Sequence, residues 1–104
     1  MKTEPEKPLF IPLNSEHFIA FEKGQKRTEY RTNGPRWNEH TCRIGREVVL
    51  SFGYTKMRLR GTVVGFRVRK AHEIVNELTN RERETLDTLP GPYACIEISE
   101  LRPA

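Results

Sequence analysis

Apolar residues recur along this chain at two different periods. In REVVLSFGY, residues 46–54, Val48, Leu50 and Phe52 return at every second position, the spacing of a strand with one face in a core. The closing run YACIEISEL, residues 93–101, sets Ala94, Ile96 and Ile98 against Cys95, Glu97 and Ser99, which predicts a strand with one wet face. Between them, KMRLRGTVVGFRVRK keeps Met57, Leu59 and Val63 in one phase and Phe66 and Val68 in the other. A phase change across Gly65 predicts a bulge or bend. Long strands that switch face at a glycine turn the corners of small barrels, so a barrel is expected here in preference to a flat open sheet.

The remaining segments supply short helices and their connections. LFIPLN predicts a short strand, which Pro12 confines to an edge or a strand end, with Asn14 or Ser15 as N-cap of the next element. SEHFIAFEKG predicts a helix that turns Phe18, Ile19 and Phe21 inward and stops at Gly24, the residue best suited to a left-handed C′ position. QKRTEYRT comes next as a strand, with Glu29 and Arg31 on one face and Thr28 and Tyr30 on the other. NGPRWNEHTCRIG is a long loop in which Trp37 is expected to plug the core. AHEIVNEL and TNRERETLDTL predict two short helices or one bent one, and Thr79 three residues before Glu82 has the form of a capping box. Residues 1–7 are expected to be a flexible lead-in and residues 8–104 a single domain.

Composition narrows the classes of function. At 104 residues and 36% hydrophobic content, the chain closes one core with little left over for a second. Its net charge of +4 hides an asymmetry. Residues 1–70 carry 15 Lys/Arg against 7 Asp/Glu, whereas residues 71–104 carry 3 against 7. A basic region raises the local concentration of polyanions, which brings nucleic acid or a phosphorylated ligand into consideration as a partner. The N-terminus has no apolar run of signal-peptide length and no segment reaches the length of a membrane span, so a cytoplasmic protein without membrane contact is expected. Cys42 and Cys95 share no C-x-x-C spacing and read as free thiols. Glu39, His40 and Cys42 lack a fourth ligand at useful spacing, and no phosphate loop or dinucleotide fingerprint occurs; neither a metal nor a cofactor is expected.

The candidate chemistry lies in GQKRTEYR, residues 24–31. A carboxylate, Glu29, stands between two cations, Lys26 and Arg31, just after a predicted helix end. If half-buried, such a cluster holds its charges in fixed rotamers and presents them to a ligand already ordered. Arg31 has the geometry to orient Glu29 or grip a phosphate, and Lys26 is the better group for contacting a nucleophile or oxyanion. The alternative is a solvated strand with incidental ion pairs, which contribute little. A second constellation alternates Lys56, Arg58 and Arg60, then Arg67, Arg69 and Lys70, with Tyr54 and Phe66 nearby, a pattern fit to track a phosphate backbone and stack on bases.

Gly24, Lys26, Glu29 and Arg31 spell G-x-K-x-x-E-x-R, and in this the chain resembles the ASCH domain family of the PUA-like superfamily. The order of elements across residues 8–101 agrees, including a GREVVLSFGY strand after the loop. The resemblance implies an α+β fold: a small PUA-like β-barrel of five or six strands flanked by short helices, with a cleft where the motif residues face a ligand. It further implies RNA or a modified nucleoside as partner. A related group of short ASCH-like proteins hydrolyses N4-acetylcytidine through the motif lysine, but has a threonine at the position of Glu29. Thr28 lies on the opposite strand face and is a poor substitute. Other members have been proposed to cleave RNA.

The expected function is therefore an RNA- or nucleoside-binding module, monomeric. Its cleft is expected to be lined by Gly24, Lys26, Glu29 and Arg31 with Trp37 and Tyr54 as stacking partners, and Arg58, Arg60, Arg67 and Arg69 add contacts to a nucleic-acid backbone. The alternatives are an amidohydrolase acting on an acylated nucleoside such as N4-acetylcytidine, with Lys26 and Glu29 catalytic, or a ribonuclease. A third is a domain that docks on another protein, for which an exposed apolar patch would be the sign.

Overall fold

In the computed structural model, which describes residues 6–104, the chain runs β1 (Leu9–Leu13), α1 (Ser15–Glu22), β2 (Thr28–Thr32), β3 (Glu47–Phe52), β4 (Arg58–Arg69), α2 (Ala71–Ile74), a 3-10 turn (Val75–Glu77), α3 (Asn80–Asp87) and β5 (Tyr93–Pro103). Residues 1–5 of the expected lead-in lie outside the described residues. The five strands form one mixed sheet in the order β1-β3-β4-β5-β2, curled into a half-barrel. The fold is thus a small α+β protein with short helices. No helix among the described residues is long and apolar enough to cross a membrane.

β1 pairs parallel with β3 and the other neighbours are antiparallel. Pro12, which lacks a ladder donor, sits in β1, one of the two edge strands. The phase change in β4 appears in the register: Val63 pairs with Ile98 but Gly65 with Glu97, so β4 carries one extra residue there. A complementary shift on β5 falls at Glu100, whose φ is +59°. The β4 bulge has a consequence for charge. Leu59 and Val63 before it, and Phe66 after it, turn into the core, which leaves Arg58, Arg60, Arg67 and Arg69 all on the convex face.

The concave face holds the main core, with Ile11, Val48, Leu50, Val63, Ile96 and Ile98 packed against Phe18 and Phe21 of α1. Trp37 joins this core from the loop, as a plug. Three expectations are corrected. Ile19 is exposed, because α1 buries only Phe18 and Phe21. Met57, just before β4, and Val68, near its far end, are also exposed. Nor is the second face of β5 wet along its length. Tyr93 and Cys95 are buried under the 71–87 helical segment, together with Ile74 and Leu86, and only Glu97 and the residues beyond face water.

Candidate functional site

Lys26 is placed by the end of α1. Gly24 stands at φ +73°; its amide bonds the Phe21 carbonyl, and the Gln25 and Lys26 amides both bond the carbonyl of Ala20. This Schellman turn closes the helix and sets the entry to β2. Glu29 and Arg31 lie on the strand face that Ile96 and Ala94 share on β5, whereas Tyr30 pairs with Cys95 on the other face.

The three motif side chains meet, and a fourth joins them from α3. Lys26 Nζ donates to Glu82 Oε2 and lies 3.6 Å from Glu29 Oε1. Arg31 Nε donates to Glu29 Oε2 at 2.8 Å, and Arg31 Nη2 to the Pro12 carbonyl at 2.8 Å. β2 and β1 are the two edges of the curled sheet, so the guanidinium spans its open seam. The charges alternate as Arg31, Glu29, Lys26, Glu82 and sum to zero. Lys26, Glu29 and Glu82 are only 8–9% exposed and Arg31 24%. Burial at that depth is tolerable only because each ion is matched by an opposite one and by further hydrogen bonds. Lys26 Nζ also lies 5.2 Å from the Tyr30 ring centre and 5.7 Å from that of Phe21, and the Arg31 guanidinium lies 4.9 Å over Trp37.

Glu82 serves two structures at once. Its Oε1 accepts from the Thr79 amide at 2.9 Å, and its own amide donates to Thr79 Oγ1 at 3.1 Å, completing the capping box of α3. Its Oε2 is left over for Lys26. Burial pushes the Glu82 pKa up, but Lys26 and Thr79 outweigh it and hold the carboxyl below its usual range. His17 is shifted down, first by burial and then by Lys26, against the pull of Glu29, Glu82 and Glu16, so its imidazole is neutral at pH 7. The Tyr30 hydroxyl donates to Glu77 at 2.9 Å; burial and that carboxylate drive its pKa upward.

These groups border a cleft of about 210 Å³ at the seam. Pro12, Leu13 and Asn14 form its β1 side, Lys26, Glu29 and Arg31 its charged wall, and Leu86 and Leu89, with Thr85 beside them, a largely apolar wall from α3 and the turn after it. His17, Lys26, Tyr30 and Glu82 also line a second, larger cleft of about 590 Å³, where Gly24, Gln25 and Arg27 lie.

Of the residues singled out from the sequence, Lys26, Glu29 and Arg31 line the seam cleft. Gly24 does not; its role is the left-handed turn that delivers Lys26. Trp37 lies beneath Arg31 as part of the core, outside the lining. Tyr54 is not part of the lining either; it is exposed in the β3–β4 turn, 6.3 Å from Phe10 of β1. None of the four arginines lines the cleft: Arg58, Arg60, Arg67 and Arg69 belong to the central strand β4, and of these Arg58 reaches back to edge strand β1, with its guanidinium 5.4 Å over the Phe10 ring. Arg60 is paired with Glu47 and Arg69 with Glu77, whereas Arg58 and Arg67 have no carboxylate partner among the described residues. Glu39 and His40 are exposed and Cys42 is fully buried, so those three do not converge.

The sequence reading missed Glu82 and His17 as site residues. Glu82 was visible only as a helix-capping signal, and nothing local to His17 marks it. Comparison with known proteins returned no family model that matches the chain and no matching curated protein.

Proposed function

We propose that the seam cleft binds the base of a nucleoside, free or within RNA, and that the chain is an ASCH-type, PUA-like module. The observation that carries this reading is the buried, charge-balanced row Arg31, Glu29, Lys26, Glu82. With two cations and two carboxylates already matched, the cleft has no net positive charge with which to hold a phosphate. It offers instead what an uncharged heterocycle recognises: carboxylate lone pairs, lysine protons, a neutral imidazole, the Tyr30 ring and an apolar wall. Phosphate contacts then fall to residues outside it. The G-x-K-x-x-E-x-R resemblance supports the same ligand class, since its three charged positions are the ones that border the cleft.

A second reading, hydrolysis of an acyl group on the same base, is favoured by one specific feature: Lys26 has a carboxylate on either side, Glu82 and Glu29. In that reaction a carboxylate takes a proton from water, and the hydroxide adds to the acyl carbonyl. The carbon–nitrogen bond then breaks, the proton passes to the leaving amine, and the products are acetate and cytidine. Lys26 would hold the carbonyl oxygen as it gains charge.

Titrating cytidine and N4-acetylcytidine into the labelled protein, with product analysis after incubation, tests both. Binding without turnover, with shifts at His17, Lys26 and Leu86 that Lys26→Met abolishes, supports the binding module. Release of cytidine and acetate, lost in Lys26→Met and Glu82→Gln, establishes the hydrolase. No response to either nucleoside in the folded protein overturns both.

A further inference from the structure

β1 carries two different surfaces on its outward side. Pro12 lines the seam cleft, and Phe10, one side-chain stride of about 7 Å back along the strand, lies outside it. Phe10 is met by Tyr54 at 6.3 Å between ring centres and by the Arg58 guanidinium at 5.4 Å. Tyr54 is directed there by the turn after β3, in which Gly53 stands at φ +59° and its amide bonds the Leu13 carbonyl at 2.8 Å. The result is a ring 85% exposed, with Met57 exposed close by in sequence. An aromatic ring left so open buries little apolar area and so contributes little to the fold. Its charged neighbours Lys56 and Arg58 have no carboxylate partner among the described residues, in contrast to Arg60, Arg69 and Arg102.

We propose that Tyr54, Phe10 and Arg58, with Lys56 at the rim, form a second subsite for the nucleotide adjoining the base held in the cleft, so that the ligand is a single-stranded oligonucleotide. This inference rests on the nucleobase reading of the cleft. Tyr54 stacks on the flanking base, Arg58 and Lys56 meet the phosphate between the two nucleotides, and Phe10 backs both. The two subsites divide the labour that neither performs alone: the charge-balanced cleft recognises a base, and the unpaired cations outside it take the backbone. A protein partner would find apolar area here, but the unpaired positive charge favours a polyanion.

The test compares cytidine with a short oligocytidylate in wild type, Tyr54→Ala and Tyr54→Phe, with binding followed by chemical shift. The expected result is that Tyr54→Ala weakens the oligonucleotide about tenfold, Tyr54→Phe keeps most of that affinity, and cytidine binds all three equally. Oligonucleotide affinity unchanged in Tyr54→Ala, with cytidine still bound at Lys26 and His17, overturns the second subsite and leaves the cleft reading intact. Loss of cytidine binding in every variant, with a Tyr54-dependent oligonucleotide that ignores Lys26→Met, removes the cleft from the interface and overturns the arrangement of adjoining subsites. Self-association that Tyr54→Ala abolishes, without any oligonucleotide response, overturns it in favour of a protein contact.

Discussion

Lys26 and Glu82, 56 positions apart in the chain, are joined by a direct side-chain hydrogen bond that ties the start of β2 to the first turn of α3. It brings the acidic C-terminal third onto the basic remainder. Arg69 with Glu77 repeats the theme nearer the surface, whereas Arg81 with Glu16 joins the same two regions with the signs reversed. The lopsided charge along the sequence is thus partly cancelled in space.

Removing Glu82 from this buried pair leaves Lys26 with only the longer contact to Glu29, a carboxylate already shared with Arg31. Glu82→Gln retains a side-chain oxygen for the Thr79 cap but loses the charge that matches Lys26, so it costs about 3 kcal/mol by urea unfolding. The double variant Lys26→Met with Glu82→Leu recovers part of that loss, because well-packed apolar side chains replace buried ions at little cost. A double variant less stable than the sum of its singles would show that the pair is not coupled in this way.

Two groups give the stability a pH profile. The folded His17 binds its proton less readily than the unfolded one, so stability is complete above its ordinary value of 6.5 and falls as pH drops from there through the lowered folded value. The folded Glu82 is likewise depressed, from 4.5, so its contribution is present above 4.5 and is lost as pH falls through its folded value. Melting temperature against pH should therefore show a decline beginning near 6.5 that His17→Asn removes, and a steeper one below 4.5 that is reduced in Glu82→Gln.

Gly24 is required by conformation alone. A Cβ there would meet no atom within 4 Å, yet φ +73° disfavours every residue with a Cβ. Gly24→Ala should cost about 1 kcal/mol and Gly24→Asn less, since asparagine tolerates the left-handed region. Thermal unfolding checks the order Gly, Asn, Ala. Equal stability of the Ala and Asn variants would contradict it.

Arg31 acts as a fork. Its Nε holds Glu29 while its Nη2 holds the Pro12 carbonyl across the seam. Lysine has one centre and cannot do both, so Arg31→Lys should cost about 2 kcal/mol. It should also speed amide hydrogen exchange along β1 relative to β3. Uniform exchange across both strands would mean that the seam does not depend on this bond.

Features whose signals are local could be read from the sequence. Val48 and Leu50, Ala94 and Ile96, the Gly24 turn and the Gly65 bulge are each specified within a few residues and stand where the pattern put them, and of the two candidate caps, Asn14 and Ser15, the structure uses Asn14. Three members of the charged row were legible for the same reason, lying within one strand and its lead-in. Glu82 was not, because a capping box accounts for a glutamate at N3 without using both oxygens; only tertiary structure shows where the second one goes. The same distance problem hid the cover over Cys95. Its thiol, pushed up to about 11 first by burial, lies beneath helices that come after β4, a relation with no periodic trace in YACIEISEL.

Arg58 and Arg60 are two residues apart on one face, yet only Arg60 is neutralised, by Glu47 at 2.8 Å. If the convex end of β4 meets an oligonucleotide backbone, their contributions to its salt dependence should differ. Releasing counterions from a single strand requires a cation that is not already satisfied, so Arg58→Gln should flatten the log-log slope of affinity against salt by about 0.7. Arg60→Gln should change it less, because Glu47 competes for its charge; Glu47→Gln should steepen the slope by freeing Arg60 and Arg102 together. Oligocytidylate titrations at several salt concentrations decide this. A slope that responds equally to Arg58→Gln and Arg60→Gln, or to neither, removes the difference in pairing as the determinant of where a phosphate binds.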